Sequence, residues 1–313
     1  MPDTAAVRAF LDERHVDLAA RIVEFCGRKI RPLSEPTDDA ACRKQARDIL
    51  TVLGRDGWFA PIGEPDLRAC CLIREALAAA SPLADAVFAL QALGSLPLVL
   101  AGESAPKERW LAPALGGKAM AAFAMTEPEA GSDVGAMQTV ARPEGEHYAL
   151  NGTKTLISNA GIADFYTVFA STDPAQGKNG IICLVVDAAA PGFAFVQPQI
   201  LSAPHPLGEI AFRNCRVPKT ARLGAEGEGY RLGIATLDRL RPTVGAAACG
   251  MAARALEEAL AHATHRRQFG KPLADFQLVQ EKLARMATDL TAARLLVYRA
   301  AWAHDRAAGG TSI

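Results

Sequence analysis

The sequence predicts a multidomain α+β protein: an all-helical N-terminal domain, a small antiparallel β barrel or sandwich in the middle, and an incomplete C-terminal helical bundle. Three observations carry this. Up to about Gly117 the chain is dominated by Ala, Leu, Arg and Glu, residues that lose little on entering a helix. From Lys118 to about Gly229, short β-branched and aromatic runs recur between Asp, Pro, Gly and Ser, which is the spacing of small antiparallel sheets. Val279, Leu283, Met286, Leu290, Ala293, Val297 and Ala300 then follow at alternating intervals of four and three, a heptad seam. The domains accordingly run 1–117, 118–229 and 230–313.

In chain order, Gly27, Pro32, Gly54, Pro61, Pro82, Gly94, Pro97 and Pro113 punctuate the helical segment as breakers between helices. In the middle domain His147–Leu150, Asn151-Gly152 and Thr153–Ser158 read as a hairpin, because Asn-Gly suits the type I′ turn between two strands. Phe165–Ala170, Ile181–Asp187, Gly192–Gln197 and Glu209–Val217 supply further strands. A helix over about Arg241–His265 follows, with Pro242 in its first turn and Val244, Ala248, Met251, Ala255 and Leu260 as the stripe that packs on the heptad helix. Two helices with this much apolar surface are not self-sufficient, so partners are expected from another subunit or from residues past Ile313.

Charge and composition exclude several classes. Lys plus Arg and Asp plus Glu number 34 each, so no net field draws the chain to nucleic acid or an anionic membrane, and neither is an expected partner. The longest apolar runs are interrupted short of the roughly 18 residues of a membrane span, so none is expected. Asp3, Asp12, Glu13, Asp17 and Glu24 lie where a secretory or mitochondrial leader would avoid acids. Cysteines at 26, 42, 70, 71, 183, 215 and 249 show neither paired nor metal-ligand spacing, which reads as reduced thiols and a cytoplasmic location. His262 and His265 have no Glu or Cys partner nearby, so no metal site is expected. Neither a GxGxxG dinucleotide motif nor a nucleophile motif occurs.

The most informative stretch is Ala124-Met125-Thr126-Glu127-Pro128-Glu129-Ala130-Gly131-Ser132-Asp133-Val134-Gly135-Ala136. It joins a hydroxyl, free backbone N–H groups and a glycine that can take positive φ or let a ring approach, which suits a polyanionic cofactor. The run resembles the flavin-binding segment of the acyl-CoA dehydrogenases. Arg266-Arg267-Gln268-Phe269-Gly270-Lys271-Pro272-Leu273, with Phe276, Gln277 and Gln280 after it, resembles that family's second flavin-contacting segment at the expected distance downstream. Leu90–Gly94 and Lys107–Pro113 also resemble its helical domain.

The resemblance implies FAD as cofactor, an acyl-CoA substrate, α,β-desaturation with hydride transfer to flavin N5, and electron-transfer flavoprotein as acceptor, in the setting of fatty acid metabolism. Phe123, Met125, Thr126, Gly131 and Ser132 match positions around the flavin or the substrate thioester, with Ser132 also on the substrate side. Ser158 matches a hydroxyl near N5, although alone it reads as a strand-end residue bonding its own backbone. Leu156 stands where many members carry a Trp that covers the ring, so less shielding is implied. Arg266, Gln268, Phe269 and Gln277 match residues that hold the pyrophosphate and adenosine of a neighbouring subunit's flavin, which implies a homo-oligomer, a dimer or tetramer. Asp238 matches a residue facing the pantetheine and Arg241 one near the catalytic cavity. The family's Glu base lies in a late loop in most members, expected here beyond Ile313, or one residue before the arginine matching Arg241, where this chain has Leu240. No catalytic base is therefore assigned within the chain. A flavin monooxygenase of the same fold, disfavoured by Thr126-Glu127-Pro128, and a non-catalytic FAD or acyl-CoA scaffold are the alternatives.

Overall fold

Each helix of the first hundred residues begins where a short polar side chain can hold a free backbone N–H. The computed structural model describes residues 2–64, 66–101 and 104–308. It contains α1 (Glu13–Phe25), α2 (Asp39–Arg55), α3 (Leu67–Ala80), α4 (Pro82–Leu100) and α5 (Ala105–Leu115) before the first strand. Asp38 accepts from Ala41 N at 2.8 Å, Asp66 from Ala69 N at 3.0 Å, Ser81 from Ala84 N at 3.3 Å and Ser104 from Lys107 N at 3.3 Å, so α2 to α5 carry N-caps. The strands are β1 (Ala121–Ala124), β2 (Val140–Glu144), β3 (His147–Ser158), β4 (Phe165–Ser171), β5 (Ile181–Asp187), β6 (Phe193–Pro198), β7 (Leu207–Pro218) and β8 (Arg222–Leu223). Next come α6 (Gly229–His265), the short pair β9 (Arg267–Gln268) and β10 (Lys271–Pro272), and α7 (Gln277–Ala308).

The chain forms two units that do not follow its order. One takes the described residues of 35–64 and 86–239, the other those of 1–34, 65–85 and 240–313. In the first, the sheet runs β6-β7-β3-β2-β4-β5-β8 with β1 beside β4. Most pairs are antiparallel, but β1 and β2 run parallel to β4. Helix α4 is pinned to β1 by the buried Gln91 amide, which donates to Ala114 O and Ala119 O and accepts from Ala121 N, all within 3.0 Å. A Cβ at Gly94 would lie 2.7 Å from Ala121 Cβ, so glycine here permits the close helix-to-strand approach.

Four expectations change. Gly54 lies inside α2, Gly94 and Pro97 inside α4 and Pro113 inside α5, rather than between helices. Helix α4 is also long and apolar enough for a membrane span by length and composition, yet 67% of its most apolar window is buried in the chain, as in the core helix of a globular protein. Asn151-Gly152 is no hairpin turn: β3 is continuous, and the chain reverses at Gly145-Glu146, with Gly145 at φ +56°. Gly152 instead forms a bulge at φ +150°, where a Cβ would meet Thr139 Oγ1 at 2.5 Å, and the Asn151 side chain pairs with Asn214. Finally, α6 begins at Gly229 and carries Pro242 in its interior.

The second unit differs most from its sequence pattern. Val244, Ala248, Met251, Ala255 and Leu260 are all exposed, and α6 buries Thr243, Ala246, Ala247, Cys249, Gly250 and Ala253 instead. The reason is proximity: a Cβ at Gly250 would lie 2.1 Å from the Glu75 carbonyl oxygen, so only a small-residue face fits against α3. On α7, Met286, Ala293 and Ala300 are exposed, whereas Leu290, Arg294, Tyr298, Ala301 and Asp305 are buried. The fully buried Glu75 accepts from Arg294 Nε and Tyr298 Oη, both at 2.8 Å, and Asp305 accepts from Arg68 Nε at 2.8 Å and Leu67 N at 2.7 Å. Buried charges placed this way need their partners, which set the register of α7 on α3.

Candidate functional site

After β1 the chain folds into a tight turn in which Glu127 and Ala130 exchange backbone hydrogen bonds of 3.1 and 3.2 Å. A buried ion pair anchors it. Lys154, fully buried on β3, donates from Nζ to Glu127 Oε1 at 2.8 Å and to Met125 O at 3.0 Å, while the Glu127 carboxylate also accepts from the backbone N–H groups of Gln138 and Thr139. Burial pushes the Glu127 carboxyl up, but Lys154 and the two backbone donors outweigh it and hold it below the usual carboxylate range. For Lys154 burial wins over the carboxylate, and the ammonium is pushed down to about 8.

Thr155 N donates to Thr126 O at 3.0 Å, bringing the turn beside a bulge in β3. At that bulge Leu156 takes φ +55° with 57% of its surface exposed. A leucine in the left-handed region carries strain on the order of 1–3 kcal/mol and keeps it only where its surroundings impose the conformation. Gln199 imposes it, accepting from Leu156 N and donating to Thr155 Oγ1, both at 2.8 Å. Two residues on, Ser158 Oγ lies 2.7 Å from His205 Nε2. Burial lowers the His205 imidazole from its ordinary value, favouring the neutral ring. Asn159, also at positive φ, donates from Nδ2 to Ala121 O at 2.9 Å and closes the strand end onto β1.

The structure thus gathers Thr126, Gly131, Ser132, Leu156 and Ser158 in one unit, on the turn and the bulge. The Thr126 hydroxyl has no hydrogen-bond partner among the described residues. Gly131 does not use positive φ; its special quality is space, since a Cβ there meets nothing within 4 Å. Phe123 and Met125 are buried in the core, Phe123 4.9 Å from the Phe169 ring, so they back this surface instead of lining it. Asp238 and Arg241 are exposed on α6, three positions apart.

The second segment belongs to the other unit. Arg267–Gln268 and Lys271–Pro272 pair through a two-residue turn in which Phe269 and Gly270 both have positive φ, +51° and +80°. Phe269 stands 92% exposed at the tip, 6.2 Å from Phe276 and edge-on to it. Arg266, Gln268 and Gln277 are exposed around it.

Lys154, Gln199 and His205 escaped the sequence reading. Lys154 had a signal, since alternation from Tyr148 and Leu150 along β3 points position 154 inward, where a charge needs a partner. Gln199 and His205 sit in an irregular loop whose composition says nothing of its partners.

A profile of the acyl-CoA dehydrogenase middle domain matches residues 122–215, and one of the acyl-CoA dehydrogenase C-terminal domain matches 227–311. The probable acyl-CoA dehydrogenase FadE25 of Mycobacterium tuberculosis is 37% identical over 306 residues, covering 95% of this chain and 78% of that protein. Butyryl-CoA dehydrogenase from Megasphaera elsdenii superposes with a TM-score of 0.86 at 31% identity over 96% of this chain and 81% of its own. The FAD complex of PigA superposes at 0.84 with 29% identity, over 95% of this chain and 80% of that one. With 37% identity over 95% of its length and both family profiles matched, the chain belongs to the acyl-CoA dehydrogenase family.

Proposed function

We propose that this chain is a flavoenzyme that introduces an α,β double bond into an acyl-CoA thioester. Bound FAD would supply the two-electron acceptor, taking the β-hydrogen as hydride at N5. The residues present fit that group. Thr126 offers an unengaged hydroxyl at the turn, Ser158 a second one past the bulge, Leu156 an exposed apolar side chain between them, and Gly131 leaves open space. In this reading Thr126 bonds the pyrimidine edge, Leu156 lies over the ring and Ser158 stabilises charge gathering at N5. Ser132 lies beside the thioester, Asp238 along the pantetheine and Arg241 near the cavity.

One observation supports the reading above the others: the Glu127–Lys154 pair anchors the turn that carries Thr126, and Gln199 holds Leu156 exposed at φ +55°, a costly conformation that packing alone does not require. The same pair gives Glu127 no proton-transfer role, because its oxygens already accept from Lys154 and two backbone groups. Arg266, Gln268, Phe269 and Gln277 would grip the pyrophosphate and adenosine of a second copy's flavin, with Arg266 pairing bidentately. An aromatic ring 92% exposed on a positive-φ turn is suited to insertion into a partner. The enzyme would then be a homo-oligomer handing electrons to an electron-transfer flavoprotein, in a cytoplasm that suits its seven buried free thiols.

The test is uptake of FAD by the purified protein, followed by anaerobic addition of acyl-CoA. One flavin per chain is expected, with bleaching of its absorbance where a carboxylate is within reach to take the α-proton as the β-hydrogen leaves. Binding without bleaching favours the scaffold, bleaching only by a separate reductase favours the monooxygenase, and a folded oligomer that stays colourless in excess FAD ends the proposal.

A further inference from the structure

The loop between β6 and β7 reaches the candidate site twice. Gln199, at its start, clamps the Thr155–Leu156 bulge, and His205, near its end, meets Ser158. Asn159 N donates to Pro206 O at 2.7 Å, so the end of this loop and the end of β3 move as one body. Ser158 is therefore a hydroxyl with a dedicated neighbour, and that neighbour decides where its hydrogen points.

We propose that His205 is a positioning residue for Ser158, setting whether the Ser158 hydroxyl offers a hydrogen or a lone pair to the hydride-accepting nitrogen of the flavin. The inference rests on the flavin reading above and adds to it a pH-dependent element. A hydroxyl has one hydrogen and two lone pairs, while Nε2 of an imidazole either accepts or donates according to its proton. With Nε2 bare, it accepts the Ser158 O–H at 2.7 Å, and only an oxygen lone pair remains to face the cofactor. With a proton on Nε2, the ring donates to Ser158 Oγ, and the serine hydrogen is released to donate outward. The first state suits a cofactor nitrogen that carries hydrogen; the second suits one that accepts.

The surroundings make this choice responsive to pH. His205 is half-buried, and desolvation disfavours its cation. It shares a 190 Å³ pocket with Asp38 and Asp39 at the start of α2. Asp39 is paired with Arg43 at 2.6 Å, and the Arg43 guanidinium donates to the Leu207 and Ala160 carbonyls. Asp38 caps α2 through Ala41 N. With these carboxylates engaged elsewhere, desolvation sets the shift of His205, which is downward. The imidazole is therefore neutral near pH 7, where in this proposal its single proton sits on Nδ1 and leaves Nε2 bare, and it gains a second proton, on Nε2, below its ordinary value of 6.5.

The experiment measures the midpoint potential of bound FAD from pH 5 to 8 in the wild-type holoenzyme, His205→Gln, Ser158→Ala and the double variant. Gln keeps a hydrogen-bonding group of similar reach and cannot titrate. The expected result is a gap between wild type and His205→Gln that changes as pH falls below 6.5. A tenfold change in the oxidised-to-reduced equilibrium reads as about 30 mV for a two-electron couple. In the Ser158→Ala background the His205 substitution should shift nothing further. Equal pH profiles for wild type and His205→Gln, with flavin bound in both, would overturn the inference and leave the flavin reading standing. In the flavin-free protein, nitrogen NMR of the imidazole supplies a second readout: Ser158→Ala should move the His205 titration, and an unmoved titration also overturns the pairing. A protein that takes up no flavin overturns the proposed function and this inference with it.

Discussion

Replacing Lys154 by Met tests whether the buried ion pair, and not the surrounding packing, holds the candidate turn in place. Lys154 is fully buried and Glu127 is 4% exposed, so solvent cannot compensate the carboxylate once the ammonium is gone. Met fills nearly the same volume and leaves little cavity; what is lost is the counter-charge at 2.8 Å and the donor to Met125 O. Removing one partner of a buried pair costs about 3–5 kcal/mol. With roughly 2–4 °C per kcal/mol for a body of this size, Tm should fall by about 6–20 °C. Adding Glu127→Gln removes the stranded charge and keeps an acceptor for one of the Gln138 and Thr139 N–H groups, which donate to different carboxylate oxygens, so the double variant should recover part of the loss. Calorimetry on the three variants decides it. A single variant within about 1 kcal/mol of wild type, or a double variant no better than the single, would refute the electrostatic account.

Other outcomes follow from the same structure. Both Glu127 and Asp66 are held below the ordinary carboxylate range despite burial, Asp66 by His15, the Ala69 N–H and Arg14, so each stabilises the fold above its unfolded pKa and that stability is lost as pH falls through the folded one. Urea midpoints should drop below about pH 4.5, and the drop should flatten in Asp66→Asn; a profile identical to wild type would exclude that contribution. Leu156→Gly relieves the strain at φ +55° and removes a side chain that is already 57% exposed, so urea titration should show a gain of about 1 kcal/mol. A net loss would mean that Leu156 packs more than its exposure suggests. Gly94→Ala places a Cβ 2.7 Å from Ala121 Cβ and 2.9 Å from Ala122 N, and should cost about 1–3 kcal/mol by calorimetry; a neutral result would show that α4 can shift away from β1. Phe269→Gly should leave Tm unchanged or raised, since the ring is 92% exposed on a left-handed turn, while flavin dissociates faster by stopped-flow fluorescence; unchanged retention would remove Phe269 from the proposed cofactor grip.

Local pattern determined much of this protein. The strands Ile181–Asp187 and Phe165–Ser171 could be read from their β-branched and aromatic runs, because burial on both faces demands continuous apolar residues. The motif segments were legible for another reason: the side chains that meet a cofactor are concentrated in short, contiguous stretches. Tertiary structure alone decided the rest. Helix α6 turned its bulky stripe outward because the Glu75 carbonyl admits only a glycine at position 250, a constraint from a residue 175 positions away. α7 buried Arg294 and Asp305 because their partners, Glu75 and Arg68, lie on α3, and no periodicity in one helix announces the charge on another. Asn151-Gly152 became a bulge because Thr139 presses against it from β2's side. The candidate site divides along the same line. Thr126 and Ser158 come from the sequence, and alternation along β3 pointed position 154 inward, but the partner of Lys154 and the contacts of Gln199 and His205 were visible only once the chain had folded, since contact across tens of residues leaves no local trace.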